Sequence, residues 1–268
     1  MNGNERSLKR AEIKSMPGWE VHWACVRFMQ CYKIFQGNSK ELIEYSRNPP
    51  KLHYNLMPDI KTRVQENALD CEAARLIHNY VASAKTLVDV SRRNSEKYLS
   101  LDLKTEYDTN VLEIFKNDPS TQIIHKLRNF MLHVDMPSIS NQINILTGVS
   151  SYLSLPPDKL LNWQKWNRIE KDYLKSLIQN GDTIIIHTFF LSHTDKIRFI
   201  TGFLLKAITD SNIKDLSKIY DLHDQILEGV KADNYVTDPL VVHFFSRNQQ
   251  YTEDGSIVPI FEDQELQS

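Results

Sequence analysis

The chain has 268 residues, of which 41 % are hydrophobic and 25 % are charged. This globular composition provides enough apolar side chains for one large domain or two small ones. Its 32 basic and 34 acidic residues give a formal net charge of −2, which excludes a protein that coats nucleic acid through bulk positive charge but allows a local basic site. Only 8 residues are glycine, whereas average usage would give about 19, and this deficit favours helices.

Neither the cysteines nor the common cofactor motifs indicate a bound group. Cys25, Cys31 and Cys71 form no CxxC pair, so we expect a reducing compartment rather than a disulfide framework or a structural zinc site. The sequence has no GxGxxG, P-loop, HExxH, EF-hand or GxSxG motif, and we predict no metal and no cofactor. The polar N-terminus lacks a signal-peptide core, and the most apolar stretch, 183–191, is too short to span a bilayer. We therefore expect a cytoplasmic protein without a membrane segment.

Helical periodicity dominates the first half of the chain. Apolar residues at i, i+3, i+4 and i+7 spacing predict a helix from Trp19 to Phe35. A shorter helix begins at Ser39 and ends at the Asn-Pro-Pro stop of 48–50. A long helix is predicted over 59–93, where there is no proline or glycine, and another over 103–115.

The next predicted helix begins at Pro119 with Asp118 as its N-cap. It runs to about Val134, and Pro137 closes it. Alternating apolar and polar residues around Thr147-Gly148 then predict a small β-hairpin. Three more helices are predicted over 163–178, 183–208 and 213–230.

These elements predict an all-α fold, a helical bundle with a small inserted β-hairpin and additional C-terminal helices. The expected organisation is a flexible N-terminus (1–18), a helical bundle (19–137), the hairpin (138–156), C-terminal helices packed on the bundle (157–231) and an irregular tail (232–268).

The most informative motif, HKLRNFMLH, occupies 125–133 of the helix after Pro119. His125, Asn129 and His133 are four residues apart and form one polar row on an otherwise apolar helix. On an ideal helix Arg128 points about 140° away from His133. Arg128 can therefore share a site with His133 in three ways: its long side chain reaches around the helix, the helix is distorted, or the arginine comes from a partner subunit.

These residue types suit RNA cleavage without a metal. Histidine has an unperturbed pKa near 6.5, so it can take a proton from a ribose 2′-hydroxyl or donate one to the leaving oxygen. Arginine offers a planar, permanently charged fork for a phosphate, and asparagine can orient either group without titrating.

The spacing alone has low specificity, because a second pair, Arg47 and His53, also has the arginine four to six residues before the histidine. That pair lies around the Asn-Pro-Pro stop and shares no helical face. The alternative interpretation of Arg128 is that it satisfies neighbouring backbone in a largely buried helix.

The segment from Ile124 to His133, followed by Met136-Pro137, resembles the motif of the HEPN superfamily. In that family an arginine, a polar residue, three further residues and a histidine lie on a late helix of a helical bundle, and the resemblance covers roughly Trp19 to Pro137. It implies a homodimeric, metal-independent endoribonuclease, often a toxin or phage-defence effector, with the two motifs facing each other. Arg128 would hold phosphate, Asn129 would orient it, and His133 would act as acid or base.

Four further residues are candidates for RNA contact or for supporting the site. They are His125, Lys126, Arg92 and Arg93; as a short charge run, the two arginines equally suit a solvated face. Some members of the family keep the bundle without activity, so the alternative function is a catalytically inactive helical adaptor that dimerises or binds a partner protein. The expected partners are RNA, a second copy of the chain and a protein partner or antitoxin.

Overall fold

The structure is a computed structural model that describes residues 3–50, 60–144, 150–231, 249–251 and 257–259. Most of these residues are helical, and the prediction of an all-α fold with a small β insertion is confirmed. The helices are α1 (Gly3–Ser15), α2 (Gly18–Arg47), α3 (Ile60–Tyr98), α4 (Leu101–Val111), α5 (Pro119–His133), α6 (Pro157–Leu161), α7 (Arg168–Asn180), α8 (Ile186–Ser211) and α9 (Ile213–Lys231). The strands are β1 (Ser140–Asn144), β2 (Ser150–Leu155), β3 (Ile184–Ile185), β4 (Gln249–Tyr251) and β5 (Ile257–Pro259).

Helix α2 is continuous where the sequence predicted two helices. Gly37 lies at the expected break, but it is exposed and no proline follows before Pro49. One exposed glycine costs a helix only about 1 kcal/mol relative to alanine. The apolar residues on both sides of it are buried, with Phe35 and Leu42 fully enclosed, and this packing maintains the helix.

The helix predicted over 103–115 changes its winding before it ends. Helix α4 stops at Val111, and the chain continues as a π-helical turn over Leu112–Lys116. The wider turn leaves the carbonyl oxygen of Phe115 available to accept a hydrogen bond of 3.0 Å from the Gln122 side chain. This bond connects the turn to the first residues of α5.

Helix α5 begins as predicted. Asp118 has extended backbone angles, and its carboxylate accepts a hydrogen bond from the Ser120 backbone N–H at 3.0 Å. Pro119 occupies the first turn, where its missing N–H is not needed. The helix packs against α3, α7, α8 and the π-helical turn.

The predicted hairpin gains a third strand. β1 and β2 pair antiparallel, with Ser140 opposite Ser154, and the predicted turn at 147–148 lies outside the described residues. The sequence placed 184–185 inside a helix, which is wrong, because these two β-branched residues pair with β2 before α8 begins.

The tryptophan segment also differs from the prediction. Trp163 and Trp166 are buried, but they precede α7 rather than lying on it. Asn167 caps α7 in a reciprocal capping box with Glu170, which sets the start of the helix at Arg168. The Trp166 indole donates a 2.7 Å hydrogen bond to the Leu160 carbonyl, so the connection from α6 is fixed by local bonds.

The chain divides into two compact units, of which the larger spans Glu20–Ile213. Its core is formed by α2, α3, α5 and α8, with side chains that are less than 2 % exposed. They include Phe28, Tyr32, Phe35, Ile77, Tyr80, Ile123, Ile124, Leu127 and Phe190.

The smaller unit joins Met1–Trp19 to Lys214–Ser268. In place of the expected flexible N-terminus, helix α1 is present, and its Ile13 is buried with Ile219 and Ile226 of α9. The sequence grouped α9 with the C-terminal helices, but it belongs to this second unit. In the predicted irregular tail, β4 and β5 pair antiparallel, and the rest of the tail lies outside the described residues.

Two glycines of α2 provide a matched test of packing in the smaller unit. A Cβ atom on Gly18 would lie 2.7 Å from the Asp215 carbonyl oxygen, whereas one on Gly37 would meet nothing within 4 Å. We expect Gly18→Ala to lower the free energy of unfolding by about 1–3 kcal/mol through overpacking, and Gly37→Ala to raise it by about 0.5–1 kcal/mol. Urea unfolding followed by circular dichroism measures both; equal effects of the two substitutions would contradict the close approach at Gly18.

Candidate functional site

The C-terminal half of α5 exposes most of the predicted motif. Its core-facing side chains include Leu127, Phe130 and Met131, all buried. Asn129 and His133 lie on the exposed side of the helix. Arg128 is half-buried, and none of the described residues forms a hydrogen bond or ion pair with it.

His133 lines an open groove of about 570 Å³. The floor is aromatic, because Phe130 and Trp163 meet edge to face with ring centroids 5.7 Å apart, and Trp166 supports Trp163 at 4.6 Å. The other walls come from the residues after α5 and from 159–165. An imidazole is therefore placed beside a solvent-open cleft with a rigid base.

Two lysines place ammonium groups at this groove. Lys159 and Lys165 both line it and are exposed, although Lys159 is 3.7 Å from the carboxylate of Asp158. The Asp135 carboxylate also lies in the lining, where it accepts a 2.7 Å hydrogen bond from the Met136 backbone N–H. With Asp158 beside Lys159 and Asp135 in the lining, two lysines face two carboxylates, so a phosphate would be held by the individual ammonium groups rather than by a net positive charge.

Arg128 does not line the groove. Helix α5 is α-helical from Pro119 to His133, and the π-helical turn precedes it, so no distortion of the motif helix rotates Arg128 toward His133. The structure thus brings His133 together with Lys159 and Lys165, and leaves Arg128 on another face of the same helix.

Apolar side chains surround His133 at the end of α5. Leu132, Val134 and Met136 are each 52 % exposed. Single exposed apolar residues are common, but three within five residues of chain form a patch of the kind that mediates protein contacts. The predicted catalytic histidine therefore lies at an apolar rim.

Lys126 has a structural partner. Its ammonium group donates a 2.7 Å hydrogen bond to the Glu170 carboxylate, which is fully buried, and a weaker one of 3.4 Å to the Lys165 carbonyl. Glu170 also completes the cap of α7. The sequence predicted Lys126 as an RNA contact or as a residue that supports the site, and the structure places its charge against a buried carboxylate between α5 and α7.

His125 belongs to a different cluster from His133. The sequence placed both in one polar row, but the His125 Nε2 atom lies 3.2 Å from the Nε2 atom of His193 on α8. His125 does not line the groove, and neither do Arg92 and Arg93, which are exposed on α3. In the second arginine–histidine pair of the sequence, Arg47 and His53, the histidine lies outside the described residues.

Lys159 and Lys165 are groove residues that the sequence did not identify. Lys159 lies on the short helix α6 and Lys165 on the turn after it, and a segment this short has no periodic pattern to indicate which way a side chain points. The two prolines at 156–157 marked the connection, but its position against the end of α5 depends on the buried tryptophans.

Comparison with models of known protein families, with curated proteins and with solved structures finds no match to this chain. Within the described residues there is no group of three or more histidine, cysteine, aspartate or glutamate side chains placed to hold a metal ion. No helix in that part of the chain has the length and apolar character needed to cross a membrane.

The structural role of Lys126 can be separated from a role in RNA binding. We expect Lys126→Met to lower the free energy of unfolding by about 1–3 kcal/mol, because it leaves the buried Glu170 carboxylate without its counter-ion. The matched change Lys165→Met, at an exposed lysine of the groove, should alter it by less than about 0.5 kcal/mol. Chemical denaturation of the two variants makes the comparison; similar losses would contradict this assignment.

Proposed function

We propose that this protein is a metal-independent endoribonuclease of the HEPN type, acting in the cytoplasm as a homodimer. The observation that carries the proposal is the position of His133, which is exposed beside an open groove lined by Lys159 and Lys165. The motif resemblance supplies the reaction class, and it also implies service as a toxin or phage-defence effector.

The chemistry follows from the properties of the side chains. One His133 imidazole takes the proton of a ribose 2′-hydroxyl, and the 2′-oxygen attacks the adjacent phosphorus. The bond from phosphorus to the 5′-oxygen breaks, and a protonated imidazole gives that oxygen a proton. The products are a 2′,3′-cyclic phosphate and a free 5′-hydroxyl. Lys159, Lys165 and an arginine offset the charge that develops on the phosphate oxygens.

A second copy of the chain provides the missing arginine, while one His133 serves first as base and then, once protonated, as acid. Arg128 lies outside the groove on a regular helix, so it cannot serve His133 of its own copy without a long reach. Leu132, Val134 and Met136 form an exposed apolar rim beside His133, a surface suited to pairing around a two-fold axis. In such a dimer Arg128 of one protomer serves His133 of the other.

The same apolar rim favours a second candidate function. A catalytically inactive helical adaptor would use Leu132, Val134 and Met136 to bind another protein, such as an antitoxin. It requires no reaction at His133, and this difference separates the two candidates.

The first test is cleavage of total RNA by purified protein in the presence of EDTA. We expect the wild type to produce fragments that end in 2′,3′-cyclic phosphate, and His133→Ala to lower the rate by about 10²–10⁴-fold because an acid–base group is lost. The control Arg168→Ala removes a cation whose side chain is 94 % exposed and which does not line the groove, so it should cleave as the wild type does.

Equal activity of the wild type and His133→Ala would reject the proposed role of His133. If both folded proteins leave every RNA class intact, the adaptor becomes the better interpretation. Pull-down with the wild type and a Leu132→Ser variant then measures whether the apolar rim binds a protein.

The composite site makes a further prediction. Arg128→Ala and His133→Ala should each be inactive alone, but mixing and re-associating them should restore part of the activity. A mixed dimer contains one intact pair, with Arg128 from one protomer and His133 from the other. Recovery is measured with the same RNA assay. If a dimer of confirmed mixed composition recovers no activity, Arg128 and His133 act together within one protomer and not across the dimer.

A further inference from the structure

A second cluster of polar side chains lies between α5 and α8, and none of its members lines the groove at His133. The Nε2 atoms of His125 and His193 are 3.2 Å apart, and their ring planes are nearly perpendicular. His193 is buried, whereas His125 is exposed as a residue and lines a cavity of about 80 Å³. Of the two histidines only His125 lines that cavity.

Both imidazoles are held in the uncharged form. Burial of the inner edge of the ring, together with the nearby Lys85 ammonium, lowers the pKa of His125 to about 4. Burial also lowers the pKa of His193 well below its usual value, and the neighbouring His125 adds to this effect. Uncharged imidazole is the form that binds metal ions, so protons do not compete for these nitrogens at neutral pH.

The separation of the two nitrogens fits a shared ion. A tetrahedral zinc ion about 2.0–2.1 Å from each of two imidazole nitrogens holds those nitrogens about 3.3 Å apart. The observed separation of 3.2 Å is close to that value. The same distance also suits a hydrogen bond between the two rings, with one nitrogen as donor and the other as acceptor.

The hydrogen bonds around the buried His193 ring are compatible with the tautomer that metal binding through Nε2 requires. With Nε2 bound to metal, the proton of His193 lies on Nδ1 and donates to the Tyr80 hydroxyl at 2.8 Å. Tyr80 can then donate to Thr194 at 3.0 Å, and Thr194 donates to the Phe190 carbonyl at 2.8 Å. Each donor in this chain has an acceptor. Histidine ligands in metalloproteins are oriented in this way by a partner on the other ring nitrogen.

The charges around the pair do not exclude a cation. Lys85 is paired with Asp89 at 2.7 Å, and Lys196 is hydrogen-bonded to Asp118. Each nearby ammonium group therefore has a carboxylate partner, although Lys85 still lowers the pKa of His125 and Lys196 that of His193. In the described part of the chain no third histidine, cysteine or carboxylate joins them.

We propose that His125 and His193 bind one divalent transition-metal ion of the zinc class through their Nε2 atoms, with water completing the coordination. The ion would cross-link α5 to α8. Both imidazoles enter as neutral ligands, so one ring moves its proton from Nε2 to Nδ1 and no proton is released. The site is separate from the groove at His133, and the proposal does not depend on RNA cleavage.

The test uses tag-free, full-length protein titrated with Co²⁺ and, separately, with Zn²⁺. We expect visible d–d absorption of tetrahedral character that saturates at one Co²⁺ per chain, and a melting temperature that rises with Zn²⁺ concentration. His125→Gln, at an exposed position, should raise the apparent Kd by roughly tenfold or more. The control His187→Gln removes another histidine of α8 and should leave the Kd unchanged.

A second variant tests how the buried ligand is oriented. Tyr80→Phe removes the acceptor for the Nδ1 proton of His193, and it should weaken metal binding by roughly tenfold in protein whose circular dichroism shows it is folded. The proposal would be overturned if the wild type bound neither Co²⁺ nor Zn²⁺. It would also be overturned if His187→Gln raised the apparent Kd as much as His125→Gln does. The two rings would then form only a hydrogen-bonded contact, and cleavage measured in EDTA would be unaffected by that result.

Discussion

The Asp118 carboxylate fixes helix α5, on which both sites of this protein depend. It accepts hydrogen bonds from Ser120 and Thr121 in the first turn of the helix and from Lys196 of α8. Partial burial opposes its ionisation, but these bonds outweigh burial and lower its pKa to about 2. Because an unfolded aspartate titrates near 3.9, the cap is fully ionised at neutral pH, and its contribution to stability is lost only as the pH falls below about 4.

From that fixed start, α5 presents two chemically different faces. In its N-terminal half, His125 meets His193 beside the half-buried ring of Phe115, and burial lowers the pKa of both imidazoles. Near its C-terminal end, His133 lies in an open groove with exposed lysines. Two histidines eight residues apart thus have different environments, one in contact with a buried histidine of α8 and the other beside an open groove.

The candidate site could be predicted from the sequence only in part. The motif residues Arg128, Asn129 and His133 stood out because helical spacing and residue type are properties of a local segment. The sequence did not reveal that Lys126 neutralises Glu170, because that ion pair joins residues 44 positions apart. Nor did it reveal that Lys159 of α6 and Lys165 of the following turn line one groove with His133, because that placement depends on how this short segment packs against the end of α5.

The sequence by itself determined the helical class, the position of most helices and the start of α5, because capping, proline and apolar periodicity act over a few residues. Tertiary structure decided the rest. Helix α2 continues through Gly37 because the residues on both sides of it are packed in the core. Strand β3 pairs with β2, and His125 and His133 lie in different clusters. The contact between His125 and His193 spans 68 positions, and such contacts depend on how whole helices pack, which no local pattern specifies.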